Sequence, residues 1–188
     1  VTNSDAHSLG RIGREYNQLL LREPSFDEWL LALREEGGRR ILANFGLDPR
    51  LGKYHRTFCE DCGRKVEGDP PVLRCPVDPG HRVVLGVLDR IRHYAAWQQG
   101  RFVRAERVRP PYVHQVPLSF VPGLGRKGMA RLLAAFGTEM AVLHAAEEAD
   151  LAAVVGERLA RLVVLARQGR LAIESGGGGI YGRVSAAD

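Results

Sequence analysis

The chain has 188 residues, 45% of them apolar, and a formal charge of +5 at pH 7. That is enough apolar material for a buried core, arranged as two or three small units, but no run approaches the roughly 18 apolar residues of a membrane span. Residues 1–14 lack the basic and apolar regions of a secretory signal, so the cytoplasm is the expected compartment and a membrane is not an expected partner. A chain that opens on Val1 reads as a piece of a longer protein.

Residues 1–18 read as the end of a strand running into a polar loop, Val1-Thr2-Asn3-Ser4-Asp5-Ala6-His7-Ser8, then Gly10-Arg11-Ile12-Gly13-Arg14-Glu15. Ser25 is placed to cap a helix starting near Phe26, with Glu28 as its capping-box partner and Trp29, Leu30 and Leu33 as the apolar stripe. Gly37-Gly38 ends it. Arg40 to Phe45 reads as a short strand, Val83 to Leu85 as extended, and Leu88 to Gln98 as helix up to Gly100. Pro110-Pro111-Tyr112 marks a linker. Beyond it the chain is mainly helical, over roughly 126–136, 138–145, 149–155 and 157–168, with Gly137, Gly156 and Gly169 between. The tail, Gly176 to Gly179 followed by Ile180-Tyr181-Gly182, is either a flexible end or a loop that packs its Tyr onto the body. The expected class is therefore α+β, mainly α in the second half.

All three cysteines, Cys59, Cys62 and Cys75, fall in one stretch with His81 shortly after. Two Cys/His knuckles about a dozen residues apart can set four soft ligands tetrahedrally around Zn2+, and Gly63 allows backbone amides to turn towards sulfur. His81 is the preferred fourth ligand. Asp78, at the CxxC-like spacing, and His55, close upstream, remain alternatives, and three reduced thiols that merely cluster would give the same spacing. A four-ligand site leaves no position open for water, so the zinc would be structural. The aromatics around this unit, Tyr54, Phe58, Tyr94 and Trp97, read as core.

The excess charge lies in the second half, with 14 Lys/Arg against 9 Asp/Glu in residues 86–188 and 13 against 13 before them. Residues 101–131 carry Arg101, Arg104, Arg107, Arg109, Arg126, Lys127 and Arg131 against Glu106, a pattern that attracts a polyanion. Within it, Leu118 to Ala130 has a helix-hairpin-helix pattern. Gly123, Leu124 and Gly125 form a turn whose backbone could approach a phosphate, with Arg126 and Lys127 adding charge, which gives DNA affinity without base readout. The plainer alternative is a Gly-Pro loop between two core helices. A degenerate second copy lies around Val154 to Arg158. Asp5-Ala6-His7 offers a carboxylate and an imidazole able to ligate a catalytic metal, though Asp-x-His is common by chance.

Asn3 to Ser8 with Arg11 to Glu15, then Gly52-Lys53-Tyr54-His55, the cysteine knuckles and Leu85 to Ile91, resembles the endonuclease Q family. Pro111-Tyr112, Pro117-Leu118, the hairpin and Tyr181-Gly182 extend the match to the end. The resemblance implies a PHP (polymerase and histidinol phosphatase) metallo-phosphoesterase domain joined to a zinc unit and a helical DNA-binding region, cutting DNA 5' of deaminated bases or abasic sites. It implies that Asp5 and His7 match the last PHP metal motif, with divalent catalytic metals held in an N-terminal barrel missing here, so that this chain binds DNA but does not cut alone. The implied parts are 1–50 as the PHP end with a remnant barrel strand, 51–110 as the zinc unit, 111–175 as the helix-hairpin-helix-like domain and 176–188 as the tail. In that family Asp78 is usually Cys, and Gly176 to Gly179 replaces a less uniform turn. Two rival readings are a stand-alone zinc and helix-hairpin-helix binding module, and a zinc-stabilised protein-interaction domain.

Overall fold

The structure is a computed structural model that describes residues 1–4, 6–9, 12–99 and 108–185. Among them the elements of the first half are β1 (Tyr16–Leu20), α1 (Phe26–Arg34), β2 (Arg40–Leu47), β3 (Phe58–Cys59), β4 (Arg64–Lys65), β5 (Val83–Val84) and α2 (Val87–Gln98). The second half gives β6 (Tyr112–Gln115), α3 (Arg126–Phe136), α4 (Glu139–His144), α5 (Glu148–Val155), α6 (Glu157–Arg167), β7 (Ala172–Glu174) and β8 (Arg183–Ser185). The class is α+β. No helix among the described residues is long and apolar enough to cross a membrane. The chain divides into two compact units, Val1–Leu47 with Arg107–Gly169, and Asp48–Glu106 with Arg170–Asp188.

In the first unit β2 is the central strand, antiparallel to β1 and parallel to β6. Tyr16 and Phe45, paired across β1 and β2, stack at 4.4 Å, and His144 of α4 meets the Phe45 ring edge-on at 5.4 Å. His144 lies 2.8 Å from the side-chain oxygen of the buried Gln115, whose amide nitrogen donates to the Arg14 carbonyl, so one side chain ties β6 to both α4 and the approach to β1. The helical core is built from Leu118, Leu132, Val142, Leu151 and Val163, all fully buried. Thr138 caps α4 by accepting from Ala141 N, and the Arg167 guanidinium donates to the carbonyls of Val142, Leu143 and Ala146, filling acceptors that a helix end leaves open.

Three local expectations are corrected. The strand begins at Tyr16 and not before Ser4; the opening residues are instead tied to it by Thr2 N donating to Asn17 Oδ1 and Asn17 Nδ2 donating to the Thr2 carbonyl. Ser25 does cap α1, accepting from Glu28 N, but the Glu28 carboxylate does not close a capping box. It accepts from Arg22 N and from the Arg39 guanidinium, which hold its carboxyl down to about 2, Arg39 first. Third, Tyr112 lies in a strand and not in a linker. Pro111 carries no N–H, yet it contributes its carbonyl, which accepts from Asn44 N at 2.9 Å, so the prolines deliver the chain into the parallel ladder.

The second unit is organised around β3, flanked by β4 and β5. Asp89, in the first turn of α2 and fully buried, accepts from Val72 N at 2.7 Å, Thr57 N at 3.0 Å and Arg56 Nε at 3.3 Å, joining three chain segments. The glycine-rich tail is packed. Gly176 N donates to Arg50 O, Gly179 N to Lys53 O and Gly182 N to Leu51 O, while Arg56 N donates to Gly176 O. A Cβ at Gly176 would lie 2.3 Å from the Gly52 carbonyl and one at Gly178 only 2.4 Å from the Phe58 ring, so these positions exclude larger residues because backbone and ring already occupy the space. The Lys53 ammonium sits 4.7 Å from the Tyr181 ring.

Candidate metal centre and hairpin turn

Cys59 and Cys62 flank the β3–β4 turn, where Gly63 takes a φ of 65° and Cys62 N points at Cys59 Sγ at 3.4 Å. Cys75 and His81 arrive from the second loop. The ligand atoms of Cys59, Cys62, Cys75 and His81 all lie within 4.8 Å of one another. Cys62 Sγ is 3.7 Å from Cys75 Sγ, and His81 Nδ1 is 3.6 Å from Cys59 Sγ and 3.4 Å from Cys62 Sγ. A tetrahedral zinc with sulfur at about 2.3 Å and nitrogen at about 2.0–2.1 Å has S–S edges of about 3.8 Å and S–N edges of about 3.5 Å, so the set fits such an ion.

The electrostatics point the same way. The amides of Asp78 and Val77 hold the Cys75 thiol down to about 6, whereas contact with Cys59 and the loss of water push the Cys62 thiol up to about 11. Three sulfurs at this spacing cannot all ionise without a cation between them. His81 is raised above the ordinary imidazole range by Cys75.

Loop chemistry sets the orientation of His81. Asp78 Oδ1 accepts from Gly80 N, its carbonyl accepts from His81 N, and its Oδ2 lies 3.8 Å from His81 Nε2, behind the nitrogen that faces the sulfurs. Asp78 therefore stands outside the cluster, as a support for the ring. Asp61 accepts from Arg82 N at 2.6 Å and locks β5 to the first knuckle. Val66, Val72 and Val83 pack on the cysteines.

In the first unit, a short 3-10 turn at Leu118–Phe120 leads into the segment before α3. Gly123 takes a φ of 81°, Leu124 is buried, and Gly125 is the N-cap of α3 with no side-chain cap. Nothing would meet a Cβ at Gly125, so the turn is open there, and Arg126 and Lys127 are exposed beside it. Gly128 is close-packed: a Cβ would lie 2.8 Å from Leu124 and 3.9 Å from Val155 of α5. A Cβ at Gly123 would meet Leu159 of α6, and Gly156, with φ of 86°, turns α5 into α6.

No family model matches the chain. It is 50% identical over 185 residues, 98% of its length, to the uncharacterized protein YqxK of Bacillus subtilis, of which it covers 46%. It is 32% identical to an uncharacterized protein of Methanocaldococcus jannaschii, covering 25% of it, so the chain spans less than half the length of these relatives. In fold, 99% of the chain matches the lesion-specific endonuclease PfuEndoQ of Pyrococcus furiosus, with a TM-score of 0.76 and 33% identity, over 48% of that chain. A structure of endonuclease Q with a 27-mer duplex substrate carrying an abasic lesion at the active site matches with a TM-score of 0.74 and 33% identity, over 49% of that chain. Both of these solved structures are of endonuclease Q.

The chain aligns to the C-terminal half of endonuclease Q. Of the residues that the sequence singled out, Cys59, Cys62, Cys75 and His81 converge, and Gly123 to Lys127 lie together at the turn into α3, exposed except for the buried Leu124. His55 and Asp78 are outside the sulfur cluster. Asp5 lies outside the described residues, as do Arg101, Arg104, Glu106 and Arg107; His7 is exposed in the segment before β1. Sequence reasoning missed the roles of Asp61 and Asp89, because an acidic residue that accepts backbone amides has no spacing signature. It did contain a signal for Asp78, since Asp-Pro-Gly before a ligand is turn chemistry. The core reading of Tyr54, Tyr94 and Trp97 is overturned: each is half exposed.

Proposed function

We propose that this chain is the zinc-bearing, DNA-binding part of a metal-dependent DNA-repair endonuclease that hydrolyses the phosphodiester 5' of deaminated bases or abasic sites. The observation that carries this reading is the match of 99% of the chain to a lesion-specific endonuclease at 33% identity. Zn2+ held by Cys59, Cys62, Cys75 and His81 is a structural cofactor, since four protein ligands leave no place for water. Leu118 to Ala130 acts as the helix-hairpin-helix element. Gly123, Leu124 and Gly125 shape the turn, the open α3 N-terminus presents amides to a phosphate, and Arg126 and Lys127 add sequence-independent attraction. The α5–Gly156–α6 turn, packed against it through Leu159 and Val155, is its partner hairpin.

Residues 1–50 are assigned to the end of a PHP domain, 51–110 to the zinc unit, 111–175 to the DNA-binding domain and 176–188 to the tail. Asp5 and His7 are the ligands this chain gives to the PHP catalytic site, whose divalent metals, when bound, supply an activated water and charge stabilisation for hydrolysis. The remaining ligands come from the N-terminal barrel, and the chain alone is not expected to cut. The test is metal analysis together with DNA binding over a salt series, and incision of a 5'-labelled duplex containing deoxyuridine or an abasic site by the protein joined to its barrel. One zinc per chain, salt-sensitive binding and a cut 5' of the lesion are expected. Bound zinc without DNA affinity would overturn the reading in favour of a protein-interaction domain.

A further inference from the structure

We infer that the cavity between β4 and the returning tail grips the DNA backbone through Arg64 and Arg183; this deepens the reading above and rests on it. The cavity has a volume of about 280 Å³, and its described lining residues all belong to the second unit. Arg64 and Lys65 of β4 and Arg183 of β8 line it, with Glu174 of β7 as the one carboxylate among those residues. Glu174 is answered by Lys65, whose ammonium lies 2.7 Å from its Oε1 and also donates to the Ser175 carbonyl at 2.6 Å. Arg64 and Arg183 are exposed, and neither guanidinium makes a hydrogen bond or a salt bridge among the described residues.

Two unpaired guanidiniums set about one cavity complement an anion, because each can aim parallel N–H donors at phosphate oxygens. They stand far apart in the sequence, and only the return of the tail brings Arg183 to the cavity that β4 lines. The main chain does not supply the donors. Gly176, Gly177 and Gly182 line the same cavity, but their amides already donate to the carbonyls of Arg50, Ile180 and Leu51. Recognition therefore rests on side chains and reads charge, as a sequence-independent backbone contact does. Phe58 and Ile180 add apolar surface to the lining. That surface suits the deoxyribose joining successive phosphates, and it has no counterpart in a free phosphate ion.

The test uses the protein joined to its barrel, titrated with an undamaged duplex at several salt concentrations. Arg64→Ala with Arg183→Ala should lower the slope of log affinity against log salt by about 0.9 to 1.8, for one shared phosphate or two. Melting temperature and zinc content should stay at the parent's values, because neither guanidinium has a partner to lose. Arg64→Lys with Arg183→Lys should keep most of the slope, since the charges remain, and Glu174→Gln, which frees the Lys65 ammonium, should steepen it. Combining the alanine pair with Arg126→Ala and Lys127→Ala should lower the slope further than either pair alone. If the Arg64/Arg183 alanine pair keeps the parent's slope while the Arg126/Lys127 pair loses part of it, the cavity does not meet DNA. It is then covered or serves an acidic protein, and the proposal falls while the DNA-binding reading stands. If the parent shows no salt-sensitive affinity for DNA, both fall.

Discussion

Replacing Asp89 with Asn changes one atom's chemistry at a site where the structure leaves no slack. The carboxylate is fully buried and accepts from two backbone amides, from the Thr57 side-chain region at 3.1 Å and from Arg56. An amide nitrogen in place of either oxygen faces donors, so at least one buried N–H loses its acceptor, at about 1–3 kcal/mol. Removing the charge that Arg56 answers costs more, up to about 3–5 kcal/mol for a buried pair. The terms overlap, and about 3 kcal/mol is the expected total. With urea slopes of about 1–3 kcal/mol per molar, the midpoint followed by Trp97 emission in a Trp29→Phe background should fall by about 1–3 M. Burial pushes this carboxyl up, but the amides of Val72 and Thr57, then Arg56, bring it below the ordinary aspartate range. A depressed folded value means that the stabilisation is present above the unfolded pKa, about 4, and is lost as pH falls through the folded value. The gap between parent and variant should therefore be full at neutral pH and narrow in acid. A midpoint shift under about 0.3 M, less than a third of the smallest shift predicted, would refute the keystone role of Asp89.

Metal removal by a chelator, or Cys75→Ser, should unfold the second unit, since structural zinc is worth about 10 kcal/mol or more; loss of amide protection in residues 57–84 by hydrogen exchange checks it. Asp78→Asn should weaken zinc binding by about tenfold in a competition titration, because Asp78 supports the far side of the His81 ring. Arg126→Ala with Lys127→Ala should reduce the slope of log affinity against log salt by about 1.8, which titrations at several salt concentrations will read. Gly178→Ala should destabilise by about 2 kcal/mol or more, because its Cβ meets the Phe58 ring on top of a φ of 60°, whereas Gly179→Ala, with φ of 86° and only ordinary contact with the Tyr54 side chain, should cost only about 1 kcal/mol in thermal unfolding.

The helices from Arg126 to Arg167 were legible because Gly137, Gly156 and Gly169 punctuate them, and the converging cysteines because their spacing is a metal signature. Other elements were hidden for physical reasons. β1, Tyr-Asn-Gln-Leu-Leu, lacks alternation and bends at a register shift between Gln18 and Leu19. β6 is four residues behind two prolines, and only its pairing with β2 makes it a strand. The glycine tail carries no local preference at all; its conformation is dictated by the carbonyls of Arg50, Leu51 and Lys53. The α2 stripe has core periodicity, and that pattern gives no sign that Val87, Ile91, Tyr94 and Trp97 are each about half exposed.

The return of the tail also dictates an order of events during synthesis. Cys59, Cys62, Cys75 and His81 leave the ribosome roughly 100 residues before Gly176 does, so at translation speeds of about 5–20 residues per second the knuckles can close on a metal while the Phe58 ring still lacks its cover. An ion captured early would hold the nascent unit in register for that interval, and the later-made glycine segment would then cover Phe58.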